Sequence, residues 1–191
     1  MGKKYKLTEE TINVYGRTLH RIESLRDFGN VKKGDKGGFI ENEDNLSQWD
    51  NCWVYDNAKV YNDAVVYGNA EVFSDAVVYD NAKVCGDAKV YGDAKVYGDA
   101  KVCGDARVYG NAMVFKNAMV YGNAKVFGDA EIYDNVRVYG NAEVFGNVHI
   151  KGDADISSIS DYIFFKNWWS SGRCFTWTRS NDMWKVGCFY G

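Results

Sequence analysis

A period of six governs the chain from Cys52 to Ile156, and little else in the sequence constrains the fold as tightly. The unit reads Ala-Lys-Val-Tyr-Gly-Asp with small departures. Its third place is Val or Ile in every unit from Val54 to Ile156, and its first place is Ala except at Cys52, Val136 and Val148. In an extended segment successive side chains alternate faces, so the Ala and the Val two places later point the same way while Lys and Tyr point oppositely. Ala and Val face inward, Lys and Tyr outward. The Gly-Asp, Gly-Asn or Asp-Asn pair that ends each unit supplies the residues best able to adopt positive φ, which a sharp corner needs. Each unit is therefore one flat side and one corner. One unit cannot bury its own apolar stripe, so the units must stack into a solenoid.

A branched aliphatic followed at fixed spacing by a small residue resembles the hexapeptide repeat of left-handed parallel β-helices, over Ile40 to Ser157. That resemblance implies three units per triangular coil of eighteen residues, about six coils, and a left-handed winding, although the general crossover rule favours the right hand. The fold class expected is all-β. Divided as 1–39, 40–157 and 158–191, the chain reads as an N-terminal β cap, a β-helix and a C-terminal aromatic β segment. Unlike the family pattern, the place after the aliphatic is Tyr or Phe in most units. With eighteen residues per coil, Tyr55, Phe73, Tyr91, Tyr109, Phe127 and Phe145 share one side, and Tyr61, Tyr79, Tyr97, Phe115 and Tyr133 the second. The third side carries Tyr67, Cys85, Cys103, Tyr121 and Tyr139. Rungs about 4.8 Å apart bring stacked rings and neighbouring charges within reach of one another.

Both flanks break the period. Tyr5-Lys-Leu, Ile12-Asn-Val-Tyr and Leu19-His-Arg-Ile suggest short strands that cover the first coil, whose open edge would otherwise invite aggregation. The first units, from Ile40 and Leu46, place polar Asn42 and Gln48 where Val is expected, which predicts an imperfect first coil. Beyond Ile156 three aromatic runs joined by turn-prone pieces predict a meander. The chain also resembles phage, prophage and gut-bacterial hexapeptide-repeat proteins in both flanks, and their ending implies a continuation past Gly191.

Composition excludes several roles. The net charge of −3 lacks the basic footprint of a nucleic-acid binder. No run approaches the roughly 18 apolar residues of a membrane span, and Met1-Gly2-Lys3-Lys4-Tyr5 leads into no signal-peptide core, so neither membrane nor export is expected and the cytoplasm is the default location. Lys6 stands where a myristoylation motif needs a small hydroxyl. The chain has no proline, as a stack that uses every backbone donor requires. Five cysteines without a Cys-x-x-Cys pair read as free thiols, with no zinc site and no disulfide framework.

Chemistry has few candidates. The resemblance implies acyltransferases that use a histidine base in a cleft between trimer subunits, and this chain offers only His20 and His149. From Ala58 to Ala154 no residue is inserted, so no loop leaves the solenoid to build a pocket. The glycines are spaced for corners and not for a phosphate cradle. Almost no Thr and interleaved Lys and Arg exclude an ice-binding array and a DNA mimic. No catalytic residue, metal or cofactor is therefore assigned.

Binding remains. Exposed aromatics are enriched where proteins meet, although rings that stack along a sheet also stabilise it. The third side, slimmed by Cys85 and Cys103 and carrying Tyr67, Met119, Tyr121 and Tyr139, is expected to be a self-association face of a dimer or trimer. Trp168, Trp169, Trp177 and Trp184 read as a lid over the last coil or as a partner patch, the lid preferred. The expected function is a non-enzymatic protein-binding scaffold with a bacterial protein partner, the resemblance implying a phage or mobile element and inhibition of a host defence complex. The alternatives are an acyltransferase and a nucleotide sponge at subunit clefts.

Overall fold

Each unit of six folds as a two-residue strand followed by a tight corner. A computed structural model describes residues 2–166, 174–180 and 183–186. Strands β1 (Tyr5–Val14), β2 (Arg17–Ser24) and β3 (Lys36–Ile40) precede a 3-10 turn at Glu43–Asn45. Eighteen two-residue strands, β4 to β21, then run from Trp53–Val54 to Asp155–Ile156. A second 3-10 turn, Ile159–Asp161, leads to β22 (Tyr162–Lys166), β23 (Cys174–Thr178) and β24 (Met183–Val186).

Every strand of the solenoid pairs in parallel with the one eighteen residues away: Val90 lies between Val72 and Val108, Val96 between Val78 and Val114, and Val102 between Val84 and Val120. Three sheets result. The first panel runs from Trp53–Val54 to Glu143–Val144, the second from Lys59–Val60 to His149–Ile150, the third from Val65–Val66 to Asp155–Ile156. Backbone donors of one turn reach carbonyls of the next, as in Lys89 N to Ala106 O at 2.9 Å and Tyr91 N to Val108 O at 3.0 Å. The chain is a parallel β-solenoid.

The aliphatic and alanine columns fill its axis. Val54, Val90, Val108, Val126 and Val144 are fully buried, and so are Ala88 and Ala106 beside them. At each corner the fifth residue of the unit holds positive φ whatever its identity, from Asp56 (52°) and Ser74 (59°) to Lys116 (57°) and Gly104 (72°). Sixth-place amides and acids form a second ladder, Asn69 Nδ2 donating to Asp87 Oδ1 at 3.0 Å and Asn111 Nδ2 to Asp129 Oδ1 at 2.8 Å. Outside, the rings stack in register, Phe73 on Tyr91 at 4.6 Å and Tyr91 on Tyr109 at 4.9 Å, nearly parallel. Truncating Tyr91 to Ala removes both contacts and is expected to cost about 1–2 kcal/mol in chemical unfolding. Phe145→Ala at the end of that column removes only one and should cost about half.

The first turn departs from expectation in an instructive way. Ile40 pairs with Val60 and Leu46 bridges Val66, both fully buried, so the aliphatic column is intact there and Asn42 and Gln48 do not stand in it. Leu46 and Val54 are eight places apart, not six, so two inserted residues shift the phase. Asn42 caps the 3-10 turn, accepting from Asp44 N. Gln48 Oε1 accepts from Lys4 N at 2.8 Å and ties the N-terminus to the turn. With β3 as its first rung the second panel has seven rungs, one turn more than the regular repeat alone provides.

β1 and β2 form an antiparallel hairpin, β2 pairing with β3 at the solenoid edge. Tyr5 sends its hydroxyl to Leu46 O at 2.6 Å beneath the first turn. Fully buried Lys4 donates to Cys52 O at 2.9 Å and lies 5.1 Å over the Phe28 ring. Burial holds its pKa below that of an ordinary lysine. Gly37 and Gly38 permit this closure: a Cβ on either would come within 2.5 Å of the Val54 or Ala58 carbonyl. At the far end β22 to β24 form an antiparallel sheet. Tyr162 is buried with its hydroxyl on Glu143 O, and Ser180 Oγ accepts from Asp155 N, so this sheet docks on the last turn.

Candidate functional site: the third panel

Two outward columns make up each panel, one on either side of the buried aliphatics. On the third panel the leading column reads Val65, Lys83, Lys101, Met119, Arg137 and Asp155, in register. The trailing column reads Tyr67, Cys85, Cys103, Tyr121 and Tyr139. All six expected face residues outside the C-terminal segment, Tyr67, Cys85, Cys103, Met119, Tyr121 and Tyr139, therefore lie on one surface. Tyr67 is 40% exposed, Tyr121 stacks on Tyr139 at 5.3 Å, and Cys85 is nearly buried. Trp168 and Trp169 lie outside the described residues, as does the Trp184 side chain. Trp177 is on β23, its backbone paired with Ile163 and Trp184.

One expectation is overturned. Cys85 and Cys103 are not free thiols but form a disulfide between adjacent rungs, their Cα atoms 4.6 Å apart. Parallel in-register rungs place two residues of one column at disulfide distance, and the pair is visible in the sequence as two cysteines eighteen places apart. Cys52 is a free, buried thiol, and burial raises its pKa. The bridge closes a loop of eighteen residues, a length for which chain entropy gives about 3 kcal/mol. Reducing the protein should lower its unfolding free energy by about that amount, and a Cys103→Ser variant should not respond to reductant.

A second feature of this face has no counterpart in the sequence reading. The corner that follows the third panel is glycine at Gly68, Gly86, Gly104, Gly122 and Gly140, on five successive rungs. The equivalent corners elsewhere tolerate side chains at the same φ: Asp56 and Ser74 after the first panel, Asn62, Asp80, Lys116 and Asp134 after the second. Corner geometry alone therefore does not demand an unbroken glycine column. With the slim disulfide beside it, the column leaves a ridge of bare backbone along one edge of the face. The signal lies in the fifth place of every third unit.

The two histidines lie apart from this face. His149 ends the leading column of the second panel, its Nδ1 2.8 Å from Glu131 Oε2 one rung below. His20 is on β2 with Nδ1 3.1 Å from Thr8 O. Among the described residues no three His, Cys, Asp or Glu side chains group to hold a metal ion, and no helix is long and apolar enough to cross a membrane.

The parallel coil has a counterpart among known families: a model described as the YdcK Beta solenoid repeat matches residues 100–114 and 106–122. Those residues span consecutive units from Ala100 to Gly122, Cys103 among them. A search of curated proteins finds no match to the chain.

Proposed function

We propose that this solenoid is a non-enzymatic protein-binding scaffold that associates with a second copy of itself through the third panel. The observation that carries this reading is the glycine corner beside the Cys85–Cys103 bridge, where backbone without side chains borders the face on successive rungs. Tyr67, Met119, Tyr121 and Tyr139 frame this slim strip with the residue types favoured at protein contacts. A rigid wall whose backbone is hydrogen-bonded turn to turn presents these groups without a backbone ordering cost on binding. The remaining aromatic columns are then free for a bacterial protein partner. Inhibition of a host defence complex, for a protein carried by a phage or mobile element, is the role that the likeness of the flanks suggests for such a scaffold.

Light scattering tests the association. The chain should show twice or three times its monomer mass of 21.6 kDa, and Met119→Glu with Tyr121→Glu should return it to the monomer while the circular dichroism stays unchanged. A monomer at every attainable concentration overturns the face. Affinity capture from bacterial lysate tests the scaffold separately: a partner seated on the remaining columns should still be captured by the double variant, and no capture above background overturns the scaffold reading.

A further inference from the structure

We propose that the cleft between the tip of the β1–β2 hairpin and the outer face of the second panel binds a small planar aromatic anion. This site lies on a different panel from the self-association face and goes beyond the scaffold role.

The cleft encloses about 720 Å³, within the range of small-molecule sites. Its floor is the leading column of the second panel, Lys59, Val77 and Lys95 on three successive rungs. Tyr61 and Tyr79, stacked at 5.3 Å, form one wall, and Asn13, Val14, Tyr15 and Arg17 of the hairpin form the roof. The hairpin is anchored there by Leu19, Ile12 and Val14 packing against Phe39, Tyr61, Val77 and Tyr79.

Three observations point to the ligand class. The first is Val77. On the first panel two leading-column lysines pair with carboxylates one rung away, Lys89 with Glu71 at 2.6 Å and Lys125 with Glu143 at 2.7 Å. On the second panel Val77 occupies the rung between Lys59 and Lys95, so neither lysine has a carboxylate beside it. Lys59 donates only to the Asn57 carbonyl, and no hydrogen bond or ion pair among the described residues engages the Lys95 ammonium. Asp80, the carboxylate of the lining, is already engaged, Oδ1 by Asn62 Nδ2 and Oδ2 by Gly98 N. Glu41 holds Arg17 at 2.8 Å. Lys59 and Lys95 thus present positive charge on either side of apolar Val77.

The second is Tyr15. It occupies the first loop position between Val14 and Arg17, at φ 49°, where Asn or Gly is the residue of low cost. Its side chain is 94% exposed, so no packing offsets that cost. Backbone strain of this kind clusters at ligand clamps, and here it stands in a turn that lines the cleft. Its phenol is also close enough to raise the pKa values of both Tyr61 and Tyr79, after burial as the main cause. Three tyrosines therefore surround one opening, which suits a flat ring.

The third is Asn62, whose buried Oδ1 accepts no hydrogen bond among the described residues although Asn62 lines the cleft. An unpaired buried acceptor is costly, and a small turn of the Asn62 amide would bring it to a ligand N–H or O–H in the cleft and remove that cost. A planar ring, an anionic group and a donor are the three features the lining selects.

The anion could be a nucleotide phosphate or an aryl carboxylate, and calorimetric titration with adenosine 5′-monophosphate and with 4-hydroxybenzoate separates the two. At least one should bind saturably with a dissociation constant of about 1 mM or tighter. Adenosine and ribose 5-phosphate, or phenol in the second arm, should bind at least tenfold more weakly, each lacking one feature. Lys95→Glu and Tyr15→Ala, both at outward positions, should each weaken binding about tenfold with unchanged melting temperature. The proposal is overturned if neither probe saturates, or if Lys95→Glu binds as well as the original protein.

Discussion

Above pH 10 this protein is expected to unfold in one steep, cooperative step. Burial raises the phenol pKa of Tyr5, Tyr61, Tyr79, Tyr97, Tyr109 and Tyr162, and pushes Tyr55 up to about 12. In the unfolded chain these phenols ionise near 10. Between pH 10 and their native values, the folded state holds protons that the unfolded state has released, so stability falls as pH rises. Each retained proton is worth about 1.4 kcal/mol per pH unit, and several titrating together give a slope no single group could. Below about pH 9 both states are protonated and these groups contribute nothing to pH dependence. The measurement follows phenolate absorbance and circular dichroism on one sample. The two signals should move together, sharply. A smooth phenolate titration centred on 10 with an unchanged sheet signal would show that the ring columns are not shielded by the stack.

A single charge on the axis should be more damaging still. Val108 is fully buried, in register between Val90 and Val126, with alanine columns alongside. Val108→Asp places a carboxylate where the surrounding backbone donors are already committed to the next turn, so it must stay unpaired or neutral. The expected loss exceeds about 4 kcal/mol. Because each turn touches only its neighbours, the defect also uncouples the turns on either side. Denaturant unfolding should show two transitions or no folded protein at all. Lys101→Ala, on the exposed face one panel away, should stay within about 0.5 kcal/mol of the original. A Val108→Asp protein that unfolds in one transition at the original midpoint would mean that the aliphatic column does not carry the fold.

The solenoid was legible because its cause is periodic. Val at every sixth place, with Ala two before it, demands a stack that buries both columns, and the resemblance to left-handed β-helices supplies the eighteen residues per turn from which in-register stacking follows. The ring columns were legible for the same reason. The first turn was not: two extra residues between Leu46 and Val54 shift the phase, and the polar partners that close it, Lys4 and Gln48, come from segments forty-odd places apart. For Cys85 and Cys103 the period gives the register and composition argues for thiols, while rung geometry joins them. The cleft depends on where the hairpin folds back over Tyr61 and Val77, a tertiary contact with no local signature. Only Tyr15, bulky where a turn prefers Asn, hinted at it.

The eighteen-residue rise makes the length of this molecule discrete. Excising residues 106–123 would remove one storey and bring Asp105 onto Ala124, leaving every later column above its former neighbour. Excising only six, residues 106–111, would rotate all that follows by one wall, setting the Lys116 corner over Gly92 and carrying Tyr121 and Tyr139 away from Tyr67. A gene of this kind can thus gain or shed whole storeys while keeping its two ends, and the height of its walls can drift without loss of their pattern.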